Sequence, residues 1–184
     1  MSVLLEYHSM QSVSSDVAAQ IENDQRGLLK ERCYWSEPLF VRLEQAAPAK
    51  LVGGNSLFNS GGYETQSGKW MEVSQNEDYL MAWSDTNFIV HKLAAWSKEH
   101  GMDWSIYSAG DYIGDVIHGE PTKNLQEFLE GLLEVSTLKP DMLSAIDQKF
   151  QNRCEPPQPV TLAATPTNTS SSKPRVSKPW WVLW

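Results

Sequence analysis

The chain reads as an α+β protein: a mostly antiparallel sheet with three to four helices packed on one face, followed by a disordered C-terminal tail. Three observations predict this. Short apolar or alternating segments arrive in runs and hairpins rather than in strict strand–helix alternation. Four stretches carry helical periodicity with start and stop signals. From Glu155 onward the composition turns to Pro, Thr, Ser and Ala, and six of the ten prolines lie there. Such a segment cannot bury enough apolar surface to offset its ordering entropy. The expected organisation is one domain over 1–154 and a Pro/Ser/Thr-rich linker over 155–184 that ends in a tryptophan-rich motif.

The elements follow in order. Residues 2–8 (SVLLEYH) are short, apolar and β-favouring, which predicts a strand. Residues 14–33 predict a helix. Ser14 or Ser15 caps it, Asp16 suits its positive end, and Lys30 and Arg32 suit its negative end. Val17, Ile21, Leu28 and Leu29 share one broad face of it. Pro38 bars continuation, and 39–45 (LFVRLEQ) alternates as a strand does, with Phe40 and Arg42 to one side. Pro48, Gly53, Gly54, Gly61, Gly62 and Gly68 mark a long loop region with a short strand at 50–52.

Residues 70–73 and 79–83 are expected as short strands joined by the polar turn SQNE. A helix then starts at Asp85 or Thr86, turns Ile89, Leu93 and Trp96 inward, and stops at Gly101 after Lys98 and His100. DWSIYSAGDYIGDVIHG, 103–119, reads as a hairpin turning at AGD. Residues 122–135 form an amphipathic helix with Leu125, Phe128, Leu129, Leu132 and Leu133 inward. Pro140 opens a last helix over 140–153.

The formal net charge is −8. Lys173, Arg175 and Lys178 against Glu155 make the tail +2, so residues 1–154 carry −10. An acidic body repels phosphate backbones, which argues against nucleic-acid binding through it. It attracts a basic protein partner and steers it on. The apolar run at 3–5 has no basic residues before it, and no run approaches the roughly 18 apolar residues of a membrane span. Cys33 and Cys154 are expected as reduced thiols in a cytoplasmic protein. Oligomeric state is not written in the sequence.

Catalytic motifs are scarce. His8, His91, His100 and His118 share no HxH, HxxxH or HExxH spacing, and neither Cys is in a CxxC pair. No metal or cofactor site is therefore expected. The glycine-rich stretch 53–62 matches neither phosphate-binding pattern, SGKW at 67–70 lacks an upstream glycine at Walker spacing, and no Ser lies in GxSxG. One acid–His group remains. On a regular strand Asp111 and Asp115 share a side and His118 takes the other. Two carboxylates on one face can do general acid–base work, and are equally ordinary solvent-facing strand residues. Trp35, Trp70, Trp83, Trp96 and Trp104 are expected in the core, with one or two available to line a pocket or anchor an interface.

Two features point to protein binding. Glu127, Glu130 and Glu134 form an acidic stripe on the 122–135 helix, with Glu120 just before. The stripe is either a solvated face or a docking face for a basic partner. The chain ends KPWWVLW, and its linker spans roughly 25–30 Å as a coil. Trp180, Trp181 and Trp184 then form a tethered hook. Its destination is a pocket on a partner, a groove on the chain's own body, or a membrane interface. A small acidic α+β body without catalytic motifs is similar in general character to bacterial immunity proteins, which block toxins. The leading expectation is a non-enzymatic protein-binding protein of immunity, antitoxin or adaptor type. The alternative is a small-molecule enzyme, such as a hydrolase, that sets Asp111, Asp115 or His118 in a Trp-lined cleft.

Overall fold

Every second residue of the first strand, β1 (Leu4–Ser9), is buried: Leu5, Tyr7 and Ser9. That alternation is the signature of a sheet covered on one face only. The computed structural model describes residues 4–31, 39–44, 48–57, 62–64 and 70–149, all within the unit Met1–Cys154. Cys33, Trp35, Cys154 and the tail with Trp180, Trp181 and Trp184 lie outside the described residues.

β1 pairs antiparallel with β3 (Lys50–Ser56) on one side and β6 (Trp104–Ser108) on the other. Beyond β3 lies β2 (Val41–Glu44), and beyond β6 lie β7 (Asp111–Ile117) and β8 (Glu120–Pro121), giving the order β2-β3-β1-β6-β7-β8. Every pairing in this sheet is antiparallel, as expected. β4 (Gly62–Glu64) and β5 (Trp70–Glu72) form a separate two-stranded sheet. The helices are α1 (Ser15–Glu31), α2 (Gln75–His100), α3 (Lys123–Ser136) and α4 (Leu143–Lys149), with a 3-10 turn at Pro140–Met142 before the last. Leu5, Tyr7, Val41, Leu51, Trp104, Ile106 and Val116 of the sheet pack on Ile21 of α1, Leu93 of α2 and Leu125 of α3. Val73, Leu80, Met81 and Ile146 make a second cluster around the start of α2.

The sequence reading contains neither β4 nor β8, and two larger elements also differ from it. Residues 79–83, expected as a strand, belong to α2, which runs 26 residues from Gln75. SQNE is its capping box rather than a turn: Ser74 accepts from the Glu77 backbone, and the Glu77 side chain accepts from the Ser74 backbone. Asp85 and Thr86, expected as the cap, are buried in mid-helix, and the Thr86 hydroxyl donates to the Ala82 carbonyl. The second difference is β3, which runs on through Gly53 and Gly54 instead of stopping at Val52. Gly53 is there because the Tyr7 ring crosses it. The Tyr7 hydroxyl donates to the Phe40 carbonyl at 3.0 Å and accepts from the Phe40 amide at 3.2 Å. A methyl group at Gly53 would overlap both the Tyr7 ring and the Phe40 carbonyl.

One carboxylate ties several segment ends together. Asp103, 9% exposed, follows the α2 stop at Gly101, whose φ of 64° closes the helix as expected. Its Oδ1 accepts from the His118 amide at 2.7 Å and the Ser97 hydroxyl at 3.4 Å, and its Oδ2 accepts from the Gln11 side chain at 3.0 Å. The Asp103 amide donates to Gln11 Oε1, and its carbonyl accepts from Met10. The His118 backbone donor, more than any other cause, holds the carboxyl below its ordinary 3.8, with Gln11, the His118 ring and Ser97 also contributing against the opposing effect of burial.

Two outcomes follow. Gly53→Ala is expected to cost about 2–3 kcal/mol in urea unfolding, because the obstructing atoms include backbone. Asp103→Asn is expected to lose about 2 kcal/mol at neutral pH. A depressed carboxyl contributes fully above its unfolded value and loses that contribution as pH falls through the lower folded value. The variant's stability must therefore fall less steeply than the wild type's below about pH 4; parallel acid profiles would remove Asp103 from this role.

Candidate functional site

Strand alternation that buries one face of the sheet exposes the other. By register that face carries Leu4, Glu6 and His8 of β1, Val52 and Gly54 of β3, and Arg42 and Glu44 of β2 with Phe40 just ahead of them. Ser105 and Tyr107 of β6 and Asp115 of β7 continue it. No described helix covers these residues, and large side chains stand in solvent: Leu4 is 44% exposed, Phe40 52% and Tyr112 51%. Where Gly54 contributes no side chain, the face dips into a hollow of about 330 Å³ rimmed by Leu4, Phe40, His8, Arg42 and two glutamates, Glu6 and Glu44. Beside it runs a row of rings: His8 to Tyr107 at 5.4 Å, then Tyr107 to Tyr112 edge-on at 5.8 Å. Such spacings are those of packed aromatic pairs.

A bulge shapes the end of the row. Tyr107 pairs with Tyr112 but Ile106 pairs with Gly114, so Ile113 is an extra residue in β7. Gly114 takes φ 146° beneath the start of α3, where a Cβ would meet the Leu125 amide at 2.7 Å. The extra residue brings Tyr112 and Asp115 to the same side, and the Tyr112 hydroxyl donates to Asp115 Oδ2. This bond, with lesser help from burial and from the charges of Asp115 and Tyr107, pushes the Tyr112 phenol up to about 12. The phenol keeps its proton and donates it within this hydrogen bond.

The same bulge corrects an expectation. Asp111 and Asp115 do not share a side, because Asp111 pairs with Ser108 on the opposite face parity. His118 lies in the two-residue turn His118–Gly119, with φ 51° and 79°, and its ring is 90% exposed. Its Nδ1 is 3.9 Å from Asp103, not near Asp111 or Asp115. The three groups do not converge on one reacting centre.

Glu127, Glu130 and Glu134 are all exposed along α3, and Glu127 pairs with Lys123 at 3.0 Å. Glu120 pairs with Lys98 at 2.9 Å. Trp96 and Trp104 are core residues, as expected, with rings 6.3 Å apart, and the Trp96 indole donates to Asp24. Trp83 is partly buried between the clusters, and Trp70 is 58% exposed. Among the described residues no helix is long and apolar enough to cross a membrane, and no three His, Cys, Asp or Glu side chains gather as a metal site needs.

The sequence reading missed Asp103 and the Tyr112–Asp115 pair. Nothing local marks Asp103. For the pair a signal existed: a lone glycine within a strand pattern, Gly114, is a bulge indicator. The chain matches no family model, no curated protein and no solved structure.

The Tyr112 pair can be checked directly. In a spectrophotometric titration one tyrosine is expected to ionise well above the ordinary value near 10, at about 12. Asp115→Asn should bring it back toward normal. A late-titrating phenol that persists in the variant would show that another cause holds it.

Proposed function

We propose that this chain is a non-enzymatic protein-binding protein of immunity, antitoxin or adaptor type, and that its partner is basic. The observation that carries the reading is the uncovered sheet face. Exposed large apolar side chains gathered on one face mark interaction sites more often than chance scatter does. Here Leu4, Phe40 and the Tyr107–Tyr112 row provide contact area, and Glu6, Glu44 and Asp115 around them supply negative charge. Aromatic anchors in a polar frame are the usual composition of an interface hot spot.

The net charge of −10 over residues 1–154 supports a basic partner. Glu127, Glu130 and Glu134 belong to the same proposal as a second acidic surface. Trp180, Trp181 and Trp184 belong to it as a tethered contact, since a linked second module raises effective concentration without new affinity in the first. A cytoplasmic setting belongs to it as well. The enzyme alternative is not favoured, since Asp111, Asp115 and His118 point apart and the Asp115 carboxylate is already engaged by Tyr112.

The test is capture of a stoichiometric partner by the full chain from its own host, followed by variants of that chain. Phe40→Ala and Tyr107→Ala are each expected to weaken the complex roughly tenfold or more, and raised salt should slow its formation. Lysine in place of Glu127, Glu130 and Glu134, and alanine in place of the three tail tryptophans, report separately on the other two surfaces. A complex indifferent to all of these changes and to salt would sink the proposal.

A further inference from the structure

β2 is the outermost strand on its side of the sheet, and among the described residues its outer edge is only partly covered. The Gln25 carboxamide of α1 lies against it. Its Nε2 donates to the Val41 carbonyl at 2.9 Å, and its Oε1 accepts from the Val41 amide at 2.7 Å. Those are the two bonds a neighbouring strand would make. Gln25 thus stands in for one peptide unit of a missing strand.

The bonds also reveal which way β2 points. In an antiparallel ladder the N–H and C=O of one residue face the same side, and the side alternates along the strand. Val41 faces outward, so Leu43 faces outward too. Alongside this edge, between Glu22, Gln25 and Arg26 of α1 and the strand itself, lies a groove of about 400 Å³. The groove adjoins residues 39–42, where Gln25 already takes the Val41 groups, so an added strand would bond first at Leu43.

The side chains restrict what that strand can be. Arg42 and Glu44 flank Leu43, are exposed, and lie on the uncovered face. Among the described residues no ion pair engages either, although Lys50 lies opposite Glu44 in register. The two charges make β2 complementary to itself in one register. Two copies pairing antiparallel must oppose outward residues to outward residues. A two-fold axis at Arg42 would set arginine against arginine, and one at Glu44 would set glutamate against glutamate. An axis at Leu43 sets each Leu43 against its own copy and each Arg42 against the Glu44 of the other copy. Opposite charges directly across a strand pair stabilise it, and like charges oppose it.

We infer that β2 is an interface for a second copy of this chain, two β2 strands pairing antiparallel about a two-fold axis at Leu43 so that the sheet continues across the dimer. The contact is isologous, the commonest form of self-association. It uses a sheet edge rather than the face, although Arg42 and Glu44 also stand at the rim of the hollow on that face.

Sedimentation equilibrium of the full chain tests it, with circular dichroism confirming that each variant folds. Wild type is expected to associate with rising concentration. Arg42→Glu and Glu44→Arg, each placing like charges across both symmetry-related pairs, should weaken association by roughly tenfold or more. The double exchange R42E/E44R restores opposite charges and should restore association. The swap also controls for Lys50, because any loss from setting a second cation opposite it, at position 44, persists in the double variant. A wild type that stays monomeric at every concentration overturns the inference. So does association that is indifferent to the single reversals, which would place it on another face or leave β2 to a different protein. Association lost in the singles and not regained in the swap overturns the register.

Discussion

The contact between the inner face of the sheet and α2 is the constraint around which the molecule is arranged. β1 lies at the middle of the sheet, with Leu5 and Tyr7 fully buried and Ile106 and Trp104 beside them on β6. Tyr7 is large, and its ring fits only because Gly53 across the ladder has no side chain. Its hydroxyl then reaches Phe40 and fixes the chain entering β2. α2 meets the sheet along one side and α3 and α4 along others, which is why its buried positions cover a broad arc and leave a stripe at His91, Ala95, Lys98 and Glu99 exposed. A helix shared by two apolar clusters cannot slide without opening both. The opposite side of the sheet receives no described helix, so its side chains stay in water. The candidate site is the direct remainder of that one-sided packing.

Carboxylates divide into two kinds by the same logic. Asp103 is inside, and donors from three separate segments surround it. Burial of an ionised group is tolerable only with that many partners. It holds the end of α2, the segment after β1 and the turn after β7 in one place. Asp115 is on the outer face and meets one phenol. Glu6 and Glu44 stand at the rim of the hollow. The inner carboxylate is therefore architecture, and the outer ones set the charge that an approaching molecule meets.

The bulge in β7 shows how little it takes to rearrange a surface. One extra residue, Ile113, moves Asp111 and Asp115 to opposite faces and brings Tyr112 beside Asp115. It also lets α3 approach, because Thr122 and Asp115 exchange bonds across the irregularity and Gly114 leaves room beneath Leu125. A strand with perfect alternation would have given a different set of neighbours on the outer face and a different seat for α3.

The sequence by itself determined the fold class, the helix ends at Ser14, Gly101 and Pro140, the inward stripe of α3 and the alternation of β6. Each of these depends on residues a turn or two apart, so local chemistry is enough. It also contained the Ser74–Glu77 capping box, hidden by the apolar run at 79–83 that reads equally well as a strand. Only the tertiary structure decided that such a run is helical, because α2 is buried on several sides and loses the periodicity that identifies a surface helix. It alone decided the strand order, the register shift at Ile113, and the donors around Asp103, which come from residues as far apart as Gln11 and His118. Which face of the sheet stays open, and which edge stays unpaired, follow from where the helices settle. No short stretch of chain encodes that, since it is set by how all the apolar faces find one another.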